Sequence, residues 1–321
     1  MATLRGKSSC CGAKFQRFGG KRRRCSGCGR TWSVHKARRG RKRLAVGVGL
    51  PRQLLVGHVP AQVLGKRMHR SHSTVWRRCC AAIDQLIDRC SEPAIPDGDL
   101  VMLVDGLRHR VRGENWVQYT VALKPVADNL AYFMDPFFIT GAESAPNWCR
   151  VFDLIPPGVA RRIRALVSDG LRGMKELAAS KGWFYQRCLY HVWAQLTPWL
   201  WILRSSGAGA VIEAVSVGLT TQDEKSAEAA RACIQACVSA RRYGVSGVLH
   251  QLLRDWAAVR CYLEHPDLQI PRTTNAVESM HELMRQTVSK AGTLEGIMRR
   301  ATALTRLHPP FTCNGHTFQQ N

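Results

Sequence analysis

The chain has 321 residues, 45% of them hydrophobic, which is enough to bury one large core or two to three smaller ones and excludes a disordered protein. Its 47 Lys and Arg against 23 Asp and Glu give a net charge of +24. Between Met1 and Ile83 there are 21 basic residues and no acidic one, which leaves 26 basic against 23 acidic residues for the rest. The excess charge thus belongs to an N-terminal region, which we expect to bind a polyanion.

No segment has the pattern of a secretory signal or a membrane span. The basic N-terminus is not followed by an apolar stretch, and the most apolar window, Leu196 to Leu203, is too short to cross a bilayer and contains Pro198. Without an export signal, the 13 cysteines are expected to be reduced thiols and metal ligands rather than disulfides. We therefore expect a cytoplasmic, nucleoid-associated protein with no membrane contact.

The first expected element is a basic, zinc-ribbon-like module with its linker, over residues 1–43. A Cys-x-x-Cys-Gly string that begins at Cys25 is a good zinc knuckle, because its glycine relieves crowding where amides fold over the thiolates. The other knuckle is degraded, since Ser8 stands where a second cysteine is expected. A module without metal is the alternative. The expected zinc ligands are Cys25 and Cys28 with Cys11 and either Cys10 or His35.

The next expected module, residues 44–95, contains two short helices joined by a tight turn. The first helix is predicted over Gln62 to Met68, the break at His69, and the second helix from its cap at Ser71. This pattern resembles a helix-turn-helix, and an ordinary helical hairpin is the alternative; the lack of acidic residues favours DNA binding. The side chains of both N-terminal modules that we expect to contact DNA are Arg22, Arg23, Arg24, Arg30, Arg70, His72, Ser73, Thr74 and Arg77.

Prolines and an Asp-Gly turn after Pro93 mark a domain boundary, and an α/β domain is predicted over 96–308. Three strands, a helix, a strand, a helix and a strand is the order of a ribonuclease H-like core, a mixed five-stranded sheet with helices. An all-α insertion is expected at about 192–265, and the tail, 309–321, is expected to be irregular. The predicted core elements are strands at Leu100–Val104, Asn115–Leu123 and Leu130–Ile139, a helix around Asn147–Arg164, a strand ending at Asp169, a helix at Leu171–Lys181 and a strand at Trp183–Arg187.

Three carboxylates are placed where such elements end or begin. Asp105 and Asp169 each follow a short β-branched run and precede a glycine, and Glu278 lies in the first turn of a helix predicted from Asn275. Carboxylates delivered in this way could bind two divalent metal ions. The structural alternative is that Asn275-x-x-Glu278 is only a capping box, in which Glu278 bonds back to the N-cap amide.

These residues carry a resemblance to a known family. Asp105-Gly, Asp169-Gly, the string Gln186-Arg187-Cys188-Leu189-Tyr190-His191 and the string Thr273-Thr274-Asn275-x-x-Glu278 resemble the motifs of Mutator-type DDE transposases from insertion sequences. The separations between the acids, 64 and 109 residues, are similar to that family. The resemblance covers roughly Leu100 to Arg300, and the region before it is similar to the zinc-ribbon and DNA-binding part of several such transposases.

The resemblance implies metal-dependent cleavage and strand transfer of DNA at the ends of an insertion sequence. Two Mg²⁺ or Mn²⁺ ions would lie about 3.5–4 Å apart, with Asp105 bridging them, Asp169 on one and Glu278 on the other. The partners would be transposon ends and target DNA, bound by a homo-oligomer. For Cys188 and His191, a packed pair under the site and a zinc or DNA contact both stay open. Two other functions are considered: a zinc-ribbon DNA-binding regulator without catalysis, and a ribonuclease H-like nuclease or resolvase.

Overall fold

The computed structural model divides the chain into two units, Met1–Gly47 and Val48–Asn321, which are described separately. In its described part, no helix has the length and apolar character needed to cross a membrane. The described residues are 11–18, 22–33, 53, 55, 59, 61–90, 95–205, 209–240, 245–288, 293–308 and 310–313.

The N-terminal unit contains a three-stranded antiparallel sheet built from β1 (Phe15–Arg17), β2 (Arg22–Cys25) and β3 (Thr31–Ser33), with β2 in the centre. Its apolar packing includes an edge-to-face contact between the rings of Phe15 and Trp32, whose centroids are 6.0 Å apart. Cys25 is almost fully buried at the end of the central strand. Few apolar side chains therefore hold this small sheet together in the part of the unit that the structure describes.

The second unit begins its described part with the predicted pair of helices, α1 (Ala61–Arg67) and α2 (His72–Arg89). The hydroxyl of Ser71 accepts a hydrogen bond from Thr74 N (3.4 Å), so the predicted N-cap is confirmed. Gly65 allows the turn to close, because a Cβ there would lie 3.0 Å from the carbonyl oxygen of Arg70. The two helices and the tight turn predicted from the sequence are therefore present.

A seven-stranded mixed sheet forms the centre of this unit. Its strand order is β10-β6-β5-β4-β8-β9, and β7 pairs separately with β5. The contacts of β4 with β5 are antiparallel, and those of β4 with β8 and of β8 with β9 are parallel. The strands are β4 (Leu100–Val111), β5 (Glu114–Pro125), β6 (Leu130–Phe133), β7 (Phe137–Thr140), β8 (Ile163–Ser168), β9 (Phe184–Arg187) and β10 (Phe311–Thr312).

Helices cover both faces of the sheet, which explains the continuous apolar run of β4. Leu100, Met102 and Val104 pack on one core cluster, and Val101 and Leu103 pack on the other. Strands buried on both faces read as unbroken hydrophobic segments. The helices after α2 are α3 (Ala145–Asp153), α4 (Pro157–Ala160), α5 (Met174–Ser180), α6 (Leu189–Ser205), α7 (Gly209–Thr220), α8 (Glu224–Ser239), α9 (Ser246–Arg254), α10 (Trp256–Glu264), α11 (Asn275–Val288) and α12 (Leu294–Leu307).

Several predicted elements differ from the structure in their bounds. β4 continues seven residues beyond its predicted end at Val104, because its hairpin partner β5 is equally long. The single strand predicted over Leu130–Ile139 is two strands, since Pro136 lies in the break and has no N–H to donate. The helix predicted to run to Arg164 ends at Asp153, ahead of two prolines. The tail is not wholly irregular, because β10 pairs with β6.

Helix α12 connects the helix pair to the core of the second unit. Arg299 bonds Asp84 of α2 (2.5 Å), and Arg306 bonds Asp135, which lies between β6 and β7. The guanidinium of Arg300 stacks on the ring of Trp76 of α2, 4.8 Å from its centroid. These contacts fix α2 against the domain that carries the carboxylates. As predicted, the described part of the segment between β9 and α11 is helical, from α6 to α10.

Candidate functional site

The two predicted aspartates lie at the same edge of the sheet. Leu103 of β4 pairs with Val167 of the parallel strand β8. Asp105 follows Leu103 by two residues, and Asp169 follows Val167 by two residues. Asp105 is still within β4, opposite Thr120 of β5, whereas Asp169 comes directly after the end of β8. Parallel pairing of adjacent strands therefore places Asp105 and Asp169 side by side, as the sequence predicts.

Hydrogen bonds fix both aspartate side chains. Asp105 Oδ1 accepts from Gly106 N (2.9 Å), and its Oδ2 lies 3.2 Å from Nδ1 of His281 on α11. Asp169 Oδ1 accepts from Leu171 N (2.9 Å). Gly170 has φ +95°, and a Cβ there would overlap the Arg187 side chain, so the glycine after Asp169 is required by the backbone and by packing.

Glu278 lies in the first turn of α11, as predicted, and it does not form the capping box that was the structural alternative. The helix begins at Asn275, and the carbonyl of Thr274 accepts from Glu278 N (3.0 Å). The carboxylate of Glu278 accepts from Thr274 Oγ1 (3.0 Å) and lies 3.8 Å from His191 Nδ1. Burial raises the pKa of Glu278, the Thr274 hydroxyl and His191 oppose this shift, and Asp105 adds to it.

Cys188 and His191 belong to the same cluster of side chains. Cys188 is fully buried, and its Sγ accepts hydrogen bonds from Thr274 N (3.3 Å) and Thr274 Oγ1 (3.4 Å). Ligand atoms of Cys188, His191 and Glu278 all lie within 4.8 Å of one another. Burial opposes protonation of His191, but Cys188, Asp105 and Glu278 outweigh it and raise its pKa to about 9.

Gln186 and Arg187, which precede this pair, hold the helical segment on the sheet. Gln186 Oε1 accepts from Tyr262 N of α10 (2.9 Å). Arg187 is almost fully buried and forms an ion pair with Asp255 (2.8 Å) and a hydrogen bond with Gln195 (2.8 Å). Their contacts position β9 and α6, and therefore Cys188 and His191 at the start of α6.

Glu143, just before α3, is a fourth carboxylate that sequence reasoning missed. A Cβ on Gly106 would lie 2.5 Å from the Glu143 carboxyl carbon, so this side chain rests against the backbone beside Asp105. Trp148 Nε1 donates to its Oε1 (3.0 Å). Burial, then Asp169, then Asp105 raise the pKa of Glu143 to about 7, while the Trp148 hydrogen bond opposes the shift. The one sequence signal is its place before the helix cap Ser144, which does not connect it to Asp105.

Asp105, Asp169, Glu278 and Glu143 are called the carboxylate cluster below. Their charges interact: Asp105 affects the pKa of both Glu278 and Glu143, and Asp169 affects that of Glu143. Oxygen-rich sets of this kind suit hard ions such as Mg²⁺ and Mn²⁺, and the cost of gathering like charges falls when a cation is present. Cys188 and His191, which lie next to Glu278, add a sulfur and a nitrogen as softer ligand atoms than the carboxylate oxygens.

A second group of potential ligands lies in the N-terminal unit. Cys11, Cys25 and Cys28, called the thiol cluster below, have sulfur atoms within 4.8 Å of one another and could hold a metal ion. Cys11 Sγ and Cys25 Sγ are 3.2 Å apart. A Cβ on Gly27 would lie 3.1 Å from Cys11 Sγ, so a side chain at this position would crowd the sulfur. The other predicted ligands, Cys10 and His35, lie outside the described residues.

Most residues predicted to contact DNA are exposed on their own elements. Arg22 and Arg24 are exposed on β2 and Arg23 is half-buried there, with its guanidinium 5.8 Å from the centroid of Phe15. Arg30 is exposed just before β3. In the second unit, the exposed residues of the turn and the first turns of α2 are Arg70, His72, Ser73 and Arg77, with Thr74 half-buried beside them.

Fold and site together define the class of protein: a mixed α/β protein with clustered carboxylates at one edge of its sheet, preceded by a small antiparallel sheet with a thiol cluster. A scan against protein-family models finds no match to this chain, and a search of curated proteins finds none either. The functional assignment therefore rests on the side chains just described.

Proposed function

We propose that the chain is a DDE-type DNA transposase, similar to the Mutator type, that cleaves and joins DNA at the ends of an insertion sequence. The observation that carries this proposal is the meeting of three distant strings of sequence. Thr274 bonds both Cys188 and Glu278, and Asp105 and Glu278 both affect the pKa of His191. The residues that carry the family resemblance are thus neighbours in space, which a capped helix alone does not require.

The strand order supports the finer assignment of a ribonuclease H-like core. Counting from β4, the first strand is central, the second is antiparallel beside it, and the third follows on that side. The fourth and fifth strands, β8 and β9, are parallel to the first on its other side. In this arrangement the first and fourth strands deliver Asp105 and Asp169, and a later helix delivers Glu278.

The carboxylates fit the ions that this chemistry needs. Bound Mg²⁺ or Mn²⁺ would activate a water or 3′-hydroxyl and neutralise charge on the phosphate. In our proposal Asp105 would be a ligand of both ions, since it is the carboxylate whose charge raises the pKa of both Glu143 and Glu278. Asp169 and Glu278 would each hold one ion. The nucleophile in this proposal is the water or 3′-hydroxyl, not a protein side chain. The role of the chain is to hold these carboxylate oxygens in place.

The N-terminal region supports the choice of DNA as partner. In our proposal the thiol cluster holds zinc, the arginines of β2 and the exposed face of α2 bind phosphates and bases, and a homo-oligomer brings two transposon ends together. Phosphate contacts by Lys and Arg supply affinity regardless of sequence, which agrees with 21 basic residues before the first acidic one. A nucleoid-associated location in the cytoplasm follows from this proposal.

The experiment that tests the function supplies the full chain with Mg²⁺ and a duplex that carries the inverted repeats flanking its coding region. We expect cleavage at the repeat and covalent joining of the 3′ end to a target duplex. Asp105→Asn is expected to bind the same duplex and yield neither product. Hydrolysis without joining would instead assign a nuclease or resolvase, and specific binding without any cleavage by the unaltered chain would assign a regulator.

A further inference from the structure

His281, on α11, is not explained by the family resemblance, yet it is in direct contact with the carboxylate cluster. Its side chain is fully buried, and it follows Glu278 by three residues, so both lie on one face of the helix. Its Nδ1 makes no hydrogen bond of good geometry with the described residues, and the polar atom it faces is Asp105 Oδ2, at 3.2 Å. A buried ring nitrogen this close to a carboxylate oxygen needs a physical reason.

The other ring nitrogen belongs to a chain of buried hydrogen bonds across β4 and β5. His281 Nε2 lies 2.9 Å from Thr120 Oγ1, and Gln118 Nε2 lies 3.3 Å from the same hydroxyl. Gln118 Oε1 lies 3.1 Å from Nε2 of His109, at the far end of the chain. Gln118 and Thr120 are both fully buried, so each of their polar groups has to be satisfied inside the protein.

The amide of Gln118 fixes the direction of one bond in this network, and the Thr120 hydroxyl can donate in the next. The amide nitrogen can only donate, so Thr120 Oγ1 accepts from Gln118 and has its own O–H free to donate to His281 Nε2. With Nε2 as the acceptor, the hydrogen of His281 is on Nδ1, the ring nitrogen that lies 3.2 Å from Asp105 Oδ2. At the far end, Gln118 Oε1 accepts from His109 Nε2, and burial lowers the pKa of His109.

We infer that His281 is a positioning residue that holds Asp105 for metal binding, with Thr120 and Gln118 setting its tautomer. Gly106 N already fixes Asp105 Oδ1 (2.9 Å), so His281 fixes the second oxygen and leaves the remaining lone pairs of the carboxylate directed at the site. Helix α11 thus supplies one ligand, Glu278, and orients another on β4. The inference rests on the proposed function only in taking Asp105 as a ligand.

The first test reads the tautomer and needs neither metal nor activity. The full chain, labelled with ¹⁵N in its histidines, is examined by NMR, and the His281 signals are identified by their loss in His281→Asn. We expect the hydrogen on Nδ1 and a bare Nε2 in the unaltered protein. The hydrogen on Nε2 with a bare Nδ1 would overturn the inference, whatever the chain is found to catalyse.

The second test measures Mn²⁺ affinity by electron paramagnetic resonance on the same full chains. Loss of an outer-shell partner costs about 10–100-fold in metal affinity, so we expect His281→Leu to lose that much. His281→Asn, whose amide can place a donor near the position of Nδ1, is expected to recover most of it. Thr120→Val, which keeps the volume but removes the hydroxyl, is expected to lose about 10-fold.

The matched control is Thr305→Val, because Thr305 is also fully buried and its hydroxyl, among the described residues, bonds a carbonyl of its own helix, Thr302 O at 2.9 Å. It should leave Mn²⁺ affinity unchanged. Equal loss in Thr305→Val and Thr120→Val, or unaltered affinity in His281→Leu and Thr120→Val alike, would overturn the inference. Absence of Mn²⁺ binding in the unaltered chain would instead count against the proposed function, while the tautomer still decides the role of His281.

Discussion

The thiol cluster and the carboxylate cluster lie in different units and differ in what supports them. Cys11 and Cys28 are exposed, and the sheet that carries the cluster is three short strands with little apolar packing among its described residues. Asp105 and Asp169, by contrast, lie at the edge of a sheet whose strands are covered on both faces. One group of ligands has a weak scaffold and the other a strong one.

A metal ion would have a different role in each place. At the thiol cluster the ion would contribute to folding itself, because small domains without a sufficient core depend on such links. At the carboxylate cluster the ligands are held by Gly106 N, Leu171 N and Thr274 Oγ1 before any ion is bound, so an ion there would add chemistry rather than structure.

The largest effect is expected at the thiol cluster. Structural zinc contributes on the order of 10–16 kcal/mol of apparent binding free energy, so Cys25→Ser should abolish stoichiometric zinc and unfold the N-terminal sheet. The second unit should stay folded. Metal analysis and limited proteolysis of the full chain measure both results. Cys149→Ser, in α3, is the control and should change neither; a folded N-terminal unit without metal would contradict the prediction.

Salt dependence of DNA binding is the next effect in size. If the N-terminal modules make six to ten phosphate contacts, affinity should fall by about 10³–10⁵ between 50 and 200 mM salt, or about 4–7 kcal/mol. Arg77→Ala, on the exposed face of α2, should lower the slope of log affinity against log salt by about 1. Arg164→Ala, on β8 and half-exposed, is the matched control. Equal slopes for the two variants would show that Arg77 on α2 does not contact DNA phosphates.

A smaller effect, in the carboxylate cluster, concerns pH. The pKa of Glu143 is raised from 4.5 to about 7, so the folded protein binds this proton more tightly than the unfolded chain does. The contribution is fully present below about pH 4.5 and is lost as pH rises through about 7. It amounts to roughly 3 kcal/mol in metal-free protein. Urea titrations should show this loss in the unaltered chain and in Glu282→Gln, but not in Glu143→Gln; an equal loss in Glu143→Gln would contradict the assignment.

Elements that are determined by a local sequence pattern could be predicted. The apolar run before Asp105 and the cap at Ser71 are local signals, and both elements are found as predicted. Prediction failed where partners decide the outcome. β4 passes beyond Asp105 because β5 continues to pair with it, and the short β10 forms only because β6 offers an edge. The sequence of one strand or of the tail does not indicate which strand it will pair with.

The candidate site shows the same division. Asp105, Asp169 and Glu278 were visible because each stands at a recognisable strand end, glycine or helix start. Glu143 was not, since its connection to Asp105 is a contact across Gly106 between segments 37 residues apart in sequence. The capping box at Asn275, the structural alternative for Glu278, does not form, because Thr274, fixed by Cys188, provides the cap carbonyl and the hydroxyl that Glu278 uses. Tertiary contacts thus overrode a plausible local pattern.

The measurement that tests the central claim most directly is Mg²⁺-dependent strand transfer by Glu278→Gln, compared with Glu282→Gln one turn further along α11. Gln at 278 keeps the shape and can still accept from Thr274 Oγ1 but lacks the charge that a cation needs. Glu282 is exposed and bonds Arg285 and Gln286, so its variant is matched in chemistry. We expect strand transfer to fall by more than about 100-fold in Glu278→Gln, with DNA binding intact, and to be unchanged in Glu282→Gln, because even an outer-shell partner of a ligand is worth 10–100-fold. Normal strand transfer by Glu278→Gln would contradict the account.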